Sequence, residues 1–142
     1  FITMDKKQAL KIIHKKSEST LVSALGIKIT EFGDDYICGK MPVDARTKQP
    51  FGLLHGGASV ALAETLGSIG AGNNVDLDKY SVVGVEINAS HLRSVRKGWV
   101  YGKATPIRIG RKIQVWEINI RDEKEKMVCK SRLTLAVIKR HD

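Results

Sequence analysis

Cysteine is scarce in this sequence, and long apolar runs are absent. The chain has 142 residues but only two cysteines, Cys38 and Cys129, whose wide separation fits neither a dense disulfide framework nor a metal-ligand spacing. No apolar stretch is long enough to span a membrane, and the N-terminal segment lacks the order of a signal peptide. We therefore expect a reduced, cytoplasmic protein with no metal centre and no membrane insertion.

Repeats, low-complexity tracts and linkers rich in proline, glycine or serine are also missing. With 142 residues, of which 42% are hydrophobic, the chain has the size and the apolar content of one domain with a real core. Three residues precede Met4 and have the character of a cloning remnant. We therefore expect the domain to cover residues 4–142 and to exclude residues 1–3.

Positive charge is in excess, because 24 lysines and arginines against 15 acidic residues give a net charge of +9. This excess favours an anionic partner such as nucleic acid, acidic lipid or a polyphosphate cofactor, although a basic surface that is merely solvated would look the same. The sequence contains no helix-turn-helix, no zinc finger and no basic stretch interleaved with aromatic residues. We therefore expect no nucleic-acid partner.

Hydrophobic periodicity and turn residues predict an α+β fold. Residues 5–16 form an amphipathic helical pattern, whereas residues 57–71 are almost wholly apolar or small, which is typical of a buried helix. Strand-like runs cover residues 27–32, 36–41, 81–93, 99–109, 112–121 and 127–138. We expect an antiparallel sheet wrapped around the one buried helix, with a polar loop over residues 42–50.

Glu64 is the one ionisable residue in the middle of this apolar helix. Glutamate is rarely buried unless it is paired or functional, so the position is a candidate for catalysis. Two structural alternatives stay open, namely a helix face that reaches solvent or a subunit contact, and a salt bridge to a cation such as Arg93. Ser68 lies four residues further on, so it shares a helix face with Glu64.

The sequence His55-Gly56-Gly57 stands where the buried helix is expected to begin. Free backbone N–H groups and the positive end of the helix dipole lie at such a terminus, and glycine lets a ligand approach them. The segment can therefore bind a polarised carbonyl oxygen or an oxyanion. The alternative is an ordinary helix start with His55 as its cap.

The spacing between these two candidates has a consequence for assembly. Gly56 and Glu64 are separated by about 12 Å along a helix that rises roughly 1.5 Å per residue, so one small carbonyl cannot contact both in one chain. Two such helices packed antiparallel across a two-fold axis would bring Glu64 of one subunit towards Gly56 of the other. If both residues are catalytic, the enzyme must be at least a dimer with shared active sites.

Three segments carry a resemblance to a known family. Residues 49–68 read QPFGLLHGGASVALAETLGS, residues 83–94 read VGVEINASHLRS and residues 114–118 read QVWEI. Together they closely resemble the PaaI-like branch of the hotdog-fold thioesterases, over roughly residues 20–138. The combination of Gln-Pro-Phe-Gly-Leu-Leu-His-Gly-Gly with a glutamate nine residues after the histidine is far more specific than any of its parts.

The resemblance implies a fold and a catalytic site. It implies a six-stranded antiparallel sheet wrapped around the central helix, in homodimers that assemble as homotetramers. It also implies that Glu64 acts as nucleophile or general base towards a thioester carbonyl, and that the Gly56 N–H polarises this carbonyl. His55 and Gln49 would assist, and Ser68 would orient the attacking water or the carboxylate. A thioester is already activated, so no cofactor is expected beyond the CoA of the substrate.

Four further residues are candidates for CoA binding. His91 and Arg93 share strand parity with Val85, and the resemblance places their region beside the CoA nucleotide. Arg93 can contact a phosphate through its guanidinium, although a surface ion pair with a nearby acid is equally consistent with the sequence. Arg111 and Lys112, in a turn after Gly110, are candidates of the same kind.

The resemblance implies an acyl-CoA thioesterase that acts on an aromatic or related acyl-CoA, with 1,4-dihydroxy-2-naphthoyl-CoA of menaquinone synthesis as the expected substrate. The alternatives are a broad thioesterase of the phenylacetyl-CoA or benzoyl-CoA type, a non-catalytic acyl-CoA-binding module and a 3-hydroxyacyl dehydratase. The dehydratases resemble His-Phe-Pro-Gly rather than His-Gly-Gly. A Cys–His hydrolase has no local signature here, and both cysteines fit small buried residues of strands.

Overall fold

The computed structural model describes residues 5–141, so the expected remnant at residues 1–3 lies outside the described part. Three helices and six strands follow one another along the chain: α1 (Lys6–Ser17), α2 (Leu21–Ala24), β1 (Lys28–Gly33), β2 (Tyr36–Val43), α3 (Gly56–Gly72), β3 (Tyr80–His91), β4 (Gly98–Ile109), β5 (Ile113–Arg121) and β6 (Met127–Lys139). The predicted elements are present, with ends that differ by a few residues.

The six strands form one antiparallel sheet in the order β1-β2-β4-β5-β6-β3, and α3 packs on its inner face against β2 to β6. The predicted hotdog arrangement, a sheet wrapped around a central helix, is confirmed. The strand order was open from the sequence, because β3 follows α3 in the chain but pairs, among the strands of residues 5–141, with β6, the last one.

Small residues allow α3 to approach the sheet closely. A Cβ atom on Gly67 would lie 2.6 Å from Leu133 Cδ2, and one on Gly70 would lie 2.8 Å from the Trp116 ring. The helix therefore needs glycine at these positions for space, as its apolar, small-residue composition indicated. In residues 5–141, α3 included, no helix is long and apolar enough to cross a membrane.

A buried polar network links α3 to β5. The fully buried Gln114 donates from its Nε2 to the carbonyl oxygen of Ala71 at 3.3 Å, and Trp116 donates from its indole Nε1 to Gln114 Oε1 at 2.8 Å. Both side chains thereby satisfy their buried polar groups, and the C-terminal end of α3 is tied to the sheet.

The two edges of the sheet differ. At the β1 edge, α1 packs against the strand, and His14 Nε2 accepts a hydrogen bond from the Ile29 N–H at 3.2 Å. The outer edge of β3 has no strand partner among residues 5–141, and it carries the exposed side chains of Val83 and Val85. A long apolar edge of this kind is a site for pairing with another strand.

A β-bulge in β3 changes which residues face α3. Gly84 pairs with Leu135 and Glu86 pairs with Thr134, so Val85 is an extra residue. Val85 is 62% exposed, whereas Ile87 is partly buried against the core. The strand parity that the sequence predicted between Val85 and the residues after it is therefore broken by the bulge.

Candidate active site

Glu64 lies in the middle of α3 with an unpaired carboxylate. Its Oε2 atom is buried and has no hydrogen-bond partner in the described part of the chain. No ion pair within residues 5–141 involves Glu64, so the salt bridge to Arg93 that the sequence left open is not formed. Glu64 as a whole is only partly buried, but a carboxylate oxygen buried without a partner is costly, which is typical of a group kept for chemistry.

A groove of about 570 Å³ opens beside this carboxylate, and we call it the Glu64 groove. Ser68 and Thr65 line it from the same helix, so the structure brings the predicted Glu64 and Ser68 into one site. The opposite side comes from α1, α2, the segment after α3 and the start of β3. The apolar residues that line the groove from its two sides are Ile13, Val22, Ile69, Leu77 and Val82. The groove can therefore hold an apolar group next to Glu64.

The N-terminus of α3 is capped by His55. Its Nδ1 accepts a hydrogen bond from the Gly57 N–H at 2.8 Å, and its carbonyl oxygen accepts one from the Ala58 N–H at 3.0 Å. Because Nδ1 is the acceptor, the neutral ring carries its proton on Nε2, where it can be donated to a ligand. The Gly56 N–H has no acceptor within residues 5–141 and is available as well.

Gln49 organises the loop that leads to this helix start. Its side-chain Oε1 accepts hydrogen bonds from the N–H groups of Phe51 at 2.5 Å and Leu53 at 3.4 Å. The amide NH₂ group of Gln49 donates no hydrogen bond within residues 5–141 and can donate to a ligand. Phe51, at the tip of the loop, is 84% exposed, which is unusual for so large an apolar side chain.

His91 lies at the same helix start, because a Cβ atom on Gly56 would come within 2.9 Å of His91 Nε2. The structure thus brings together His55, Gly56 and His91, which come from a loop, a helix and the end of β3. Glu64 is on the same helix but about 12 Å further along. One chain therefore contains both the carboxylate and the hydrogen-bond donors at the start of α3, but it does not bring them close enough to contact the same carbonyl group.

Arg93 follows the end of β3 and is exposed. It lies close to Asp122, whose pKa is held below its ordinary value mainly by a hydrogen bond from the Lys126 N–H and further by the Arg93 charge. Arg93 forms no salt bridge with any residue of the described chain, so its guanidinium remains open to an anionic ligand.

Arg111 and Lys112 lie at the other end of the sheet from Arg93. They precede β5, which begins opposite Ala136, and Ala136 in turn pairs with Val83 near the start of β3. His91, near Arg93, is the last residue of the same strand. One chain therefore does not bring Arg111 and Lys112 to the region of His91 and Arg93.

Neither cysteine is suited to act as a nucleophile. Both thiols are free, and burial raises the pKa of Cys38 and of Cys129. Cys129 pairs in register with His91, but a neutral buried thiol is a poor nucleophile. Residues 5–141 contain no cluster of histidine, cysteine, aspartate or glutamate side chains able to hold a metal ion.

Two parts of the site were not predicted from the sequence. Gly84 lies directly opposite the Glu64 carboxylate, and α1 and α2 form one side of the groove. The isolated glycine within the apolar strand pattern of residues 81–93 was a usable signal for Gly84, since such a glycine indicates a bulge or a close backbone approach. The contribution of α1 had no sequence signal.

Comparisons with known proteins agree with one another. The model of the thioesterase superfamily matches residues 51–129. The 1,4-dihydroxy-2-naphthoyl-CoA hydrolase of Escherichia coli is 49% identical over 94% of this chain and 97% of its own length. The proofreading thioesterase EntH of Cronobacter turicensis is 54% identical over 91% of this chain and 93% of its own. The crystal structure of thioesterase HI1161 from Haemophilus influenzae superposes with a TM-score of 0.88 at 54% identity, covering 92% of this chain and 90% of that one.

Proposed function

We propose an aromatic acyl-CoA as the substrate of this chain, which belongs to the thioesterase superfamily and is a thioester hydrolase. The specific substrate we propose is 1,4-dihydroxy-2-naphthoyl-CoA, in menaquinone synthesis. The similarity to the Escherichia coli hydrolase of that name supports it. The similarity to a proofreading thioesterase is as high, so a broader range of aryl thioesters is the second candidate.

One observation carries the catalytic part of the proposal, namely the buried and unpartnered Oε2 of Glu64 at an apolar groove. A protein that only bound acyl-CoA would gain nothing from this carboxylate, whose burial without a partner lowers stability. A hydrolase needs such a group, because a carboxylate beside the thioester can attack the carbonyl carbon or remove a proton from the attacking water.

The α3 N-terminus supplies the complementary half of the reaction. As water or Glu64 adds to the carbonyl carbon, negative charge develops on the carbonyl oxygen, and the free Gly56 N–H can stabilise it. The Nε2–H of His55 and the amide NH₂ of Gln49 are further donors. If water adds, Glu64 takes up its proton, collapse of the intermediate breaks the C–S bond, and this proton passes to the thiolate, so the products are the carboxylic acid and CoA thiol. If Glu64 adds, the same bond breaks to give an anhydride with Glu64 and the CoA thiolate, and water then hydrolyses the anhydride to the acid and the free Glu64 carboxylate.

A dimer would bring the Glu64 carboxylate of one subunit close to the α3 N-terminus of the other. Glu64 and Gly56 lie about 12 Å apart on one helix, so we place them at a shared site between two subunits. The unpaired β3 edge with its exposed Val83 and Val85 supports pairing of two β3 strands, which would set two α3 helices side by side. The homotetramer, the CoA contacts and the cytoplasmic location stay predictions.

The substitution Glu64→Gln tests the proposal, because it keeps the shape of the side chain and removes its base and nucleophile. We expect a folded protein whose kcat for aryl-CoA thioesters, followed by thiol release, falls by at least about 10². The matched control is Glu117→Gln, which changes an outer-face glutamate paired with Lys130 and should leave kcat unchanged.

Two outcomes would contradict the proposal. A folded Glu64→Gln variant that kept more than about a tenth of the wild-type rate would remove Glu64 from the mechanism. A wild-type protein with similar kcat/KM for 1,4-dihydroxy-2-naphthoyl-CoA, benzoyl-CoA and phenylacetyl-CoA would replace the specific substrate by the broader range.

A further inference from the structure

The Glu64 carboxylate lies against the backbone of β3 at Gly84. A Cβ atom on Gly84 would be 3.1 Å from Glu64 Oε1, 3.4 Å from Oε2 and 3.5 Å from Cδ. The contact with Oε1 is tighter than ordinary van der Waals contact, whereas those with Oε2 and Cδ are not, so a side chain at position 84 would press on Oε1 and require a shift of a few tenths of an ångström. Glu64 Oε1 therefore lies slightly closer to β3 than a side chain at position 84 would allow without adjustment.

The backbone conformation does not explain a glycine at this position. The φ angle of Gly84 is outside the left-handed region, unlike those of Gly26, Gly52 and Gly98, so other residues could adopt the same backbone. A larger residue at position 84 would instead prevent the present close approach of the Glu64 carboxylate to β3.

The β-bulge makes this approach compatible with the rest of β3. Gly84 pairs with the buried Leu135 and faces α3. In a regular strand the next residues to face α3 would be Glu86 and Asn88, which would bring a charge and an amide into the core. Because Val85 is an extra residue, Ile87 pairs with the buried Leu133 and faces α3 instead.

We propose that Gly84 is a positioning residue for Glu64, and that the bulge at Val85 exists so that a glycine can face this carboxylate while apolar residues line the remainder of β3. Bulges are over-represented beside active sites, where they redirect the strand in this way. The inference rests on the proposed function in one respect, since it takes Glu64 to be the catalytic carboxylate.

A double-mutant cycle tests the proposal. In the wild-type background, Gly84→Ala should lower kcat by about tenfold or more and change KM by less than about threefold, because a small misplacement of a catalytic group reduces the rate far more than binding. In the Glu64→Asp background, the carboxylate is one methylene shorter and does not reach the new methyl group. Gly84→Ala should then lower kcat by less than about threefold.

The outcomes separate positioning from a general effect on the strand. Equal losses in both backgrounds, or an unchanged kcat for Gly84→Ala alone, would overturn the role of Gly84 while leaving the proposed function intact. If Gly84→Ala failed to fold but the double variant with Glu64→Asp folded, the contact between Gly84 and Glu64 would be supported. If both failed to fold, β3 would need glycine at position 84 for its own structure, and the positioning role would be overturned. Asn88→Ala, on the outer side of the same strand, is the control with unchanged kinetics. A fully active Glu64→Gln variant would instead refute the proposed function.

Discussion

Arg93 is the residue at which CoA binding can be tested most directly, because it is exposed and has no salt bridge within residues 5–141. If its guanidinium contacts a CoA phosphate, Arg93→Ala should raise KM roughly tenfold and leave kcat nearly unchanged. The effect should shrink for a short thioester that lacks the nucleotide, when both substrates are assayed by thiol release. Arg132→Ala, on the outer face of β6, is the control.

Equal losses on the two substrates would contradict this role. They would show that Arg93 acts through its neighbour Asp122 and the turn that holds it, and they would leave CoA recognition to other basic residues.

Residue-level prediction from the sequence succeeded where a residue contrasts with its own segment. Glu64 stands out because its helix is otherwise apolar, and the burial of its Oε2 atom agrees with that pattern, while its catalytic role stays a prediction. Gly84 could not be assigned in the same way, because its partner lies twenty positions earlier and comes near only through the packing of α3 on β3. The sequence indicates that a glycine in a strand is unusual, but it does not indicate which atom approaches it.

At the scale of elements, α1, α2 and the segment after α3 form the outer side of the Glu64 groove, and this arrangement should limit the acyl group. Leu77 is 47% exposed at the groove, so Leu77→Trp narrows it without disturbing the core. We expect kcat/KM for 1,4-dihydroxy-2-naphthoyl-CoA to fall about tenfold relative to acetyl-CoA. Leu21→Trp alters an exposed leucine of α2 outside the groove, and the ratio should then stay constant.

A proportional fall for both substrates after Leu77→Trp would show that the naphthoyl ring lies elsewhere. The groove would then have to be assigned to another part of the substrate.

Element prediction worked because periodicity sets both the type of each segment and its buried face. It was wrong at the end of one strand and at a bulge within another. The predicted loop from Pro42 is still strand, since Pro42 and Val43 are buried and continue the pairing of β2 with β4. The bulge at Val85 reverses the parity of β3, and no alternation of apolar and polar residues announces it.

At the scale of the whole molecule, the position of Glu64 and Gly56 on one helix predicts complementation between subunits. Glu64→Gln lacks the carboxylate, and Gly56→Val fills the carbonyl site and would displace the His91 ring, so each variant should be nearly inactive. When the two are mixed under subunit exchange, about half of the dimers should be mixed. Each mixed dimer has one site with both defects and one with neither, so activity should recover to roughly a quarter of wild type.

Absence of recovery would mean that both residues serve one site within one chain, provided that mass spectrometry shows exchange and that both variants are folded. Either the separation of about 12 Å argued from the helix rise would then be wrong, or Glu64 or Gly56 would have no role in the reaction.

The buried hydrogen bonds between Gln114, Trp116 and the end of α3 also allow the packing of this helix to be followed by intrinsic tryptophan fluorescence. Trp116 is fully buried with its indole N–H bonded, whereas Trp99 lies nearer the surface with the Lys40 ammonium 4.5 Å from its ring centroid. The Trp116 indole is therefore better shielded from water than that of the half-buried Trp99, and we expect the shorter-wavelength emission to come from Trp116. Any loosening of α3 from the sheet would admit water to that ring and shift its emission to longer wavelength. A substitution at position 84 or 64 that leaves this band in place has changed the carboxylate and not the helix that carries it.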